Sequence, residues 1–380
     1  LPKFIRPFPD VFEWDLTMLK AMSKKYIDNT LLLDKRNDYW LTDGLQTYLM
    51  MNYVSEYYPE IKLAGNISKI WGFKNFNFSK LNFNDKYPFV YQYTARQFID
   101  QALNTRSDSL SNFNRKIAGK YKAGLGLRYL ADYIGDSIIS ASFQEFYLKN
   151  NLKYAKSDDF KKIVSSKTTK DISWFFEDYL KTTKKIDYTI KKAIIKDDSV
   201  YVTIKNKRNM TAPVALYGLK NKQVKFKKWL TNIDSTKTIA IPKNGFNRVS
   251  LNFENSYPEF NSMDNWKKVG KNILNKPIQF KLYKDINDPY YHQIYLQPNI
   301  KYNFYDGALL GLRIHNRPIL SRNFQFSITP QYGTKSNALN GTFNTRYTQY
   351  FENSTINRIY YSLSGSNLHY AENLSYNTFN

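Results

Sequence analysis

The spacing of apolar residues changes once along this chain, near residue 187, and that change limits what it can fold into. Before it, apolar positions recur at helical intervals; after it, they alternate with polar ones. Phe12, Leu16, Leu19 and Tyr26 fall near one face of a first helix. A second helix is expected to begin at Asp43 and run through Leu49, Met50, Tyr53, Val54 and Tyr57, with Pro59 as its stop. Residues 74–85 read as a polar, Asn-rich loop and 93–103 as a helix. Residues 116–134 and 138–148 read as a helical pair parted by Gly135 and Asp136, and 171–180 as a late amphipathic helix with Trp174, Phe175 and Phe176.

From residue 187 to 253 the period is two. Val200-Tyr201-Val202-Thr203-Ile204, Ala215-Leu216-Tyr217 and Arg248-Val249-Ser250-Leu251 are short strands between turn residues, which suits a small β-sandwich. Residues 255–276 contain Pro258, several Asn and Gly270 and read as a linker. From Pro277 the strands lengthen. Phe324, Phe326, Ile328, Pro330 and Tyr332 alternate with Gln325, Ser327, Thr329 and Gln331, and Ile359, Tyr361 and Leu363 alternate with Arg358, Ser362 and Ser364. Ala308, Leu310, Leu312 and Ile314 alternate with Gly307, Gly311, Arg313 and His315, broken by Leu309. Strands of about ten residues, apolar on one face and polar on the other, suit an outer-membrane barrel; the other reading is an ordinary antiparallel sheet with one wet face. Arg313, Arg346 and Arg358 on the polar faces suit a water-filled lumen. About a hundred residues cannot close a typical barrel, so these would be its first strands. The chain opens on Leu1 and ends on Asn380 in mid-pattern, and is expected to be a fragment of a longer protein.

Composition removes several kinds of chemistry. The 380 residues contain no Cys, which excludes disulfides, thiol nucleophiles and cysteine metal sites. The three His residues, His292, His315 and His369, all lie beyond the helical region. The net charge is +24, but the basic residues are dispersed in short runs such as Lys184-Lys185 and Lys227-Lys228. With no helix-turn-helix, zinc-finger or RNA-recognition signature, no nucleic-acid partner is expected. No run of about eighteen apolar residues encodes a transmembrane helix.

Lys20-Ala21-Met22-Ser23-Lys24 is followed, after eighteen residues, by Asp43 within Trp40-Leu41-Thr42-Asp43-Gly44-Leu45-Gln46-Thr47-Tyr48. Further on, Lys120-Tyr121-Lys122-Ala123-Gly124 precedes Leu130 and Tyr133-Ile134-Gly135, and the region 143–147 leads to Trp174-Phe175-Phe176. These segments resemble, in order and spacing, the gluzincin aminopeptidases of the membrane alanyl aminopeptidase type. In that family W-L-x-E-G-x-x-x-Y carries the third zinc ligand, H-E-x-x-H the other two ligands and the general base, and P-Y-E-K-G an oxyanion-stabilising Tyr. The resemblance places Lys20 and Lys24 at the two His positions, Ala21 at the general base, Asp43 at the Glu ligand and Tyr121 at the oxyanion Tyr.

The donor chemistry departs from the family. Catalytic zinc needs deprotonated ligands, and an ammonium carries no lone pair. Ala21 has no carboxylate with which to activate water. No cofactor is therefore expected, zinc being the resembling family's. If the fold persists, Lys20 or Lys24 is expected to approach Asp43 and replace the metal's charge, the alternative being that both reach to solvent. Tyr121 is either a vestigial oxyanion group or a packing residue.

The resemblance and the strand alternation together imply a multidomain α + β chain. Residues 1–183 would be the helical, thermolysin-like half of a gluzincin catalytic domain, 187–254 a β-sandwich and 277–380 the start of an outer-membrane β-barrel. The expected function is a catalytically inactive aminopeptidase-like module that binds a peptide or protein partner, located at the outer membrane of a Gram-negative bacterium. The alternatives are an active zinc metallopeptidase with non-standard ligands, and a barrel-based transport or structural protein with the helical domain as scaffold.

Overall fold

The protein is described from a computed structural model covering residues 7–208, 210–270, 275–351, 354–356, 358–372 and 374–380. The architecture is mixed α + β, helical first and then built of sheets, and it divides into two compact units, Leu1–Asn275 and Lys276–Asn380.

The first unit starts with α1 (Asp10–Thr30), whose first turn carries Asp10 and Glu13 at the positive end of the helix dipole. Phe12 is buried against Val54 and Phe83, whereas Tyr26 is exposed and stacks on Tyr147. Strand β1 (Leu32–Leu33) pairs parallel with β2 (Tyr154–Ala155). Helix α2 spans Tyr39–Tyr57. It therefore starts four residues before Asp43, the start expected from periodicity, and Trp40 and Leu41 in its first turn are buried. Helix α3 is Lys86–Gln97, earlier than the expected 93–103, because Phe98 turns left-handed at φ 55° and its N–H caps the carbonyls of Thr94 and Ala95. A π-helical turn, Asn114–Ala118, leads into α4 (Gly119–Ile134). Gly135, at φ 118°, breaks the chain before α5 (Asp136–Asn150). Helix α6 (Ser157–Lys167) was not foreseen, and residues 171–180 hold a second π-helical turn, Trp174–Tyr179.

Helices α2 and α4 touch almost backbone to backbone. A Cβ added at Gly124 would lie 2.4 Å from Thr47 Cγ2, and one at Gly44 would lie 3.0 Å from the Cβ of Ala123. Only glycine allows this approach.

The sandwich comprises a three-stranded sheet, β3 (Tyr188–Lys196), β4 (Ser199–Asn206) and β7 (Thr236–Pro242) in order β3-β4-β7. Facing it is a four-stranded sheet of β5 (Val214–Lys220), β6 (Gln223–Leu230), β8 (Arg248–Leu251) and β9 (Trp266–Lys268) in order β6-β5-β8-β9. The linker expectation needs correction. Residues 255–276 are not a free linker: β9 pairs antiparallel with β8, and Tyr257, Glu259 and Trp266 are buried. Asn252 Nδ2 and Asn265 Nδ2 both donate to Glu259, so polar side chains do the pairing in a stretch that reads as loop. Residues 271–274 of this stretch lie outside the described residues. The helices and the sandwich also bond to each other: the Tyr129 hydroxyl of α4 donates to the Pro213 carbonyl, and Lys227 pairs with Asp132 at 2.9 Å.

The second unit is one seven-stranded sheet in sequential order: β10 (Ile278–Leu282), β11 (His292–Asn303), β12 (Gly307–His315), β13 (Phe324–Gly333), β14 (Leu339–Tyr350), β15 (Arg358–Ala371) and β16 (Leu374–Phe379). All neighbours are antiparallel except β10 and β11, which pair parallel against expectation. The sheet is open among the described residues, with β10 and β16 at its edges. Its burial is inverted. On β13, Phe324, Ile328, Pro330 and Tyr332 are exposed while Ser327, Thr329 and Gln331 are covered; Ile328 is 50% exposed and Gln331 1%. Register continues the apolar face through Leu296, Ile314, Ile328, Phe343 and Phe379. The polar face is internally bonded, Gln331 Nε2 donating to Asn299 Oδ1 at 2.9 Å and Arg313 Nε to Ser327 Oγ at 2.9 Å. Leu309, the break in the alternation, sits buried among these polar groups.

Gly124→Ala should destabilise the first unit by about 1–3 kcal/mol through overpacking against Thr47, read as a lowered urea midpoint. A change under about 0.5 kcal/mol would mean that α2 and α4 separate at no cost.

Candidate functional site

Asp43 faces a cleft of about 390 Å³ lined also by Lys24, Asp28, Lys35, Tyr39, Thr42, Ser107, Arg115, Lys116 and Lys120. Helical segments supply most of it, with Lys35 and Ser107 added from loops. Lys24 and Asp28 come from α1, one turn apart and bonded to each other at 2.7 Å. Tyr39, Thr42 and Asp43 come from the first turns of α2, and Arg115, Lys116 and Lys120 from the π-helical turn and the start of α4. The contact of α2 with α4 through Gly44 and Gly124 sets Lys120 over Asp43, with Nζ 3.2 Å from Oδ1.

The replacement idea is thus corrected in its residue. A lysine does pair with Asp43, but it is Lys120; neither Lys20 nor Lys24 forms an ion pair with Asp43. Lys24 is held by Asp28 and acts on Asp43 only through space. Lys20 is exposed, and its contribution is its backbone carbonyl, which accepts from Gln46 Nε2 at 2.7 Å and ties α1 to α2. Ala21 is exposed on α1 and lies outside the cleft lining.

Asp43 has a side chain 17% exposed. Burial pushes its carboxyl above the ordinary carboxylate range, opposed by the charge and hydrogen bond of Lys120 and, less, by Lys24. Two residues further along α4 from Lys120, Lys122 turns inward, and burial lowers its ammonium to about 8 even with Asp100 3.5 Å away. That same Asp100 is bonded to Lys185 at 2.5 Å. Lysines two residues apart thus serve opposite ends, Lys120 at a wet cleft and Lys122 in a buried ion cluster.

Tyr121 is not brought to Asp43. Its ring packs edge-on to Tyr87 at 4.7 Å, within a cluster of Met51, Tyr91, Ala95, Leu125 and Phe260, and burial raises its phenol. A helix turns about 100° per residue, so Lys120 and Tyr121 point to different sides of α4. Packing is the role this geometry gives it.

Zinc does not fit these residues. The cleft offers ammonium and guanidinium groups, hydroxyls and two carboxylates that are each already paired with a lysine. No group of three or more His, Cys, Asp or Glu side chains able to hold a metal occurs among the described residues.

No protein-family model matches the chain, and no curated protein matches it. Among solved structures it is similar to the crystal structure of Legionella pneumophila aminopeptidase A in complex with aspartic acid, at 15% identity and a TM-score of 0.39. The similarity covers 58% of this chain and 23% of that one. It is a distant likeness over part of the chain.

Lys120 stood in the sequence beside the Tyr that drew attention, and Arg115, Lys116, Lys35, Ser107 and Tyr39 carried no motif at all. The one available signal was Lys116 and Lys120, four residues apart and so on one helical face.

Because its folded carboxyl titrates above the unfolded value, Asp43 costs stability when ionised, and folding regains that cost as pH falls through the folded value. Asp43→Asn should therefore be more stable than the parent at pH 7, with the advantage shrinking toward pH 4. Urea denaturation at both pH values checks this, and a less stable variant at pH 7 would mean that the Lys120 pair outweighs burial.

Proposed function

We propose that the first unit is a peptidase-like binding module without zinc chemistry, and that the second seats its apolar face in an outer membrane. The observation that carries the first part is the Lys120–Asp43 pair in a cleft lined by three further lysines and an arginine. A divalent cation there would meet repulsion from these charges and only carboxylates already neutralised. Such a cleft suits holding a peptide or protein partner rather than hydrolysing one, since nothing in its lining is placed to activate water as a metal-bound hydroxide or a free general base would.

Supporting the membrane part is the inverted burial of the sheet. A water-facing sheet hides its apolar face; this one covers Ser327, Thr329 and Gln331 and exposes Phe324, Ile328 and Tyr332. That division, with apolar side chains outward and a hydrogen-bonded polar interior, is what a lipid solvent selects in β-strands. No helix among the described residues is long and apolar enough to cross a membrane.

Metal content tests the first part. After dialysis against zinc and then buffer, the purified chain should retain well under one zinc by mass spectrometry and release no amino acid from aminoacyl amide substrates. One zinc per chain together with hydrolysis would overturn the reading. For the second part, tryptophan fluorescence in membranes containing brominated lipid should be quenched in Ile328→Trp and not in Thr329→Trp. Equal quenching at both positions would refute a lipid-facing sheet.

A further inference from the structure

Tyr39 opens α2 with its side chain buried, 6% exposed, and its hydroxyl has no hydrogen-bond partner among the described residues. It nonetheless lines the cleft that holds Asp43. A buried hydroxyl without a partner is uncommon, since buried polar groups are nearly always bonded. The surrounding wall explains why this one stays unmet. Lys24, Lys35, Arg115, Lys116 and Lys120 are donors with no lone pair to offer. The nearby Asp43 acts on Tyr39 through space, but its bond is with Lys120. The wall's own acceptors, Asp28, Thr42, Asp43 and Ser107, leave this hydroxyl unbonded, so it is open to an acceptor that a ligand brings.

The charges point the same way. Five cationic side chains face two carboxylates. Asp28 is matched by Lys24 at 2.7 Å, with Lys35 also at 3.7 Å, and Asp43 is matched by Lys120. Arg115 and Lys116 have no ion pair among the described residues, and Lys24 and Lys35 share one carboxylate, so the cleft keeps an excess of positive charge, most of it at Arg115 and Lys116. Both belong to the π-helical turn that Gly119 N–H closes onto the Asn114 carbonyl. An insertion of this kind in a helix costs regular hydrogen bonding and is common where side chains are re-aimed for a function. Here it brings Arg115 and Lys116 to the same wall as Lys120. At about 390 Å³ the cleft has room for a side chain or a small ion, not for a folded surface.

We infer that this cleft binds an oxyanion, the carboxylate of an acidic peptide or a phosphate group, with the Tyr39 hydroxyl donating to it and Arg115, Lys116 and Lys120 supplying the charge. The inference rests on reading the cleft as a ligand site rather than a metal site, and it adds the chemical class of the ligand. Guanidinium and ammonium groups bond carboxylate and phosphate oxygens strongly, and a buried donor adds the selectivity for an acceptor that exposed lysines lack.

Titration calorimetry of the full chain with three probes tests it: inorganic phosphate, a short oligoglutamate peptide and an oligoglutamine peptide of equal length. The expected result is binding of phosphate, of oligoglutamate or of both, with the pair of arms showing which source the cleft takes, and weakening as salt rises. Tyr39→Phe and the double variant Arg115→Ala/Lys116→Ala should each lose about tenfold or more in affinity. Tyr39→Phe removes no hydrogen bond present in the fold, so its urea midpoint should match or exceed the parent's, separating loss of binding from loss of structure. No heat with phosphate or oligoglutamate, or binding that neither variant weakens, would overturn the inference. Equal binding of oligoglutamine and oligoglutamate would also overturn it, while leaving the peptide-binding reading in place. Phosphate binding without any peptide binding would uphold the oxyanion site and count against the peptide.

Discussion

The close contact of α2 with α4 is the constraint from which the candidate site follows. Gly44 and Gly124 remove the side chains that would hold the two helices apart, and Thr47 fills the space that Gly124 leaves. At that separation the start of α4 overlies the start of α2, and Lys120 comes within 3.2 Å of Asp43. A wider spacing would leave Asp43 buried without a partner, an expensive arrangement for a carboxylate. The glycines thus do electrostatic work indirectly: by fixing a distance between helix axes they decide which cation neutralises which anion. On the other side of α2, Gln46 bonds the Lys20 carbonyl and holds α1 in place, which carries Lys24 and Asp28 to the cleft rim.

The two units are stabilised by opposite arrangements of the same residue types. In the first, aromatic rings such as Tyr129, Trp174, Trp229 and Tyr257 interlock between α4 and the sandwich, and buried charges meet opposite charges, as Asp100 does with Lys185. In the second, the covered face is polar. Asp306, fully buried, accepts from Asn303, Ser336 and Asn340 at 2.6 to 2.8 Å and contacts the His369 ring at 2.7 Å. A network of this kind helps hold turns and strands in register with few apolar side chains beneath them, because directed hydrogen bonds fix the geometry of the groups that make them. The apolar side chains then face outward, where only an apolar solvent or partner makes their exposure favourable.

Sequence patterns mislead where side chains substitute for regular structure. The segment 255–276 looks like a linker because Pro, Asn and Gly usually mark turns, yet Asn252 and Asn265 bond to the buried Glu259 and pin the stretch to the sandwich. Helix α3 ends early because Phe98 adopts a left-handed conformation, which no apolar pattern signals. The parallel pairing of β10 with β11 is likewise invisible to alternation, since a strand reads the same whichever way its neighbour runs.

What the sequence determined by itself is the part that depends on local periodicity and on the presence or absence of chemical groups. The passage from helix to strand near residue 187, the alternation on β13 and the lack of metal-capable donors at Lys20, Ala21 and Lys24 can all be read without coordinates, because each is a property of residues near one another in the chain. The tertiary structure alone decided that Lys120 pairs with Asp43, that Tyr121 packs on Tyr87 and that Tyr39 is left with a buried, unmet hydroxyl. Those outcomes depend on how close two helices come and on which way a side chain points after a π-helical turn, and neither is written in the spacing of any single segment.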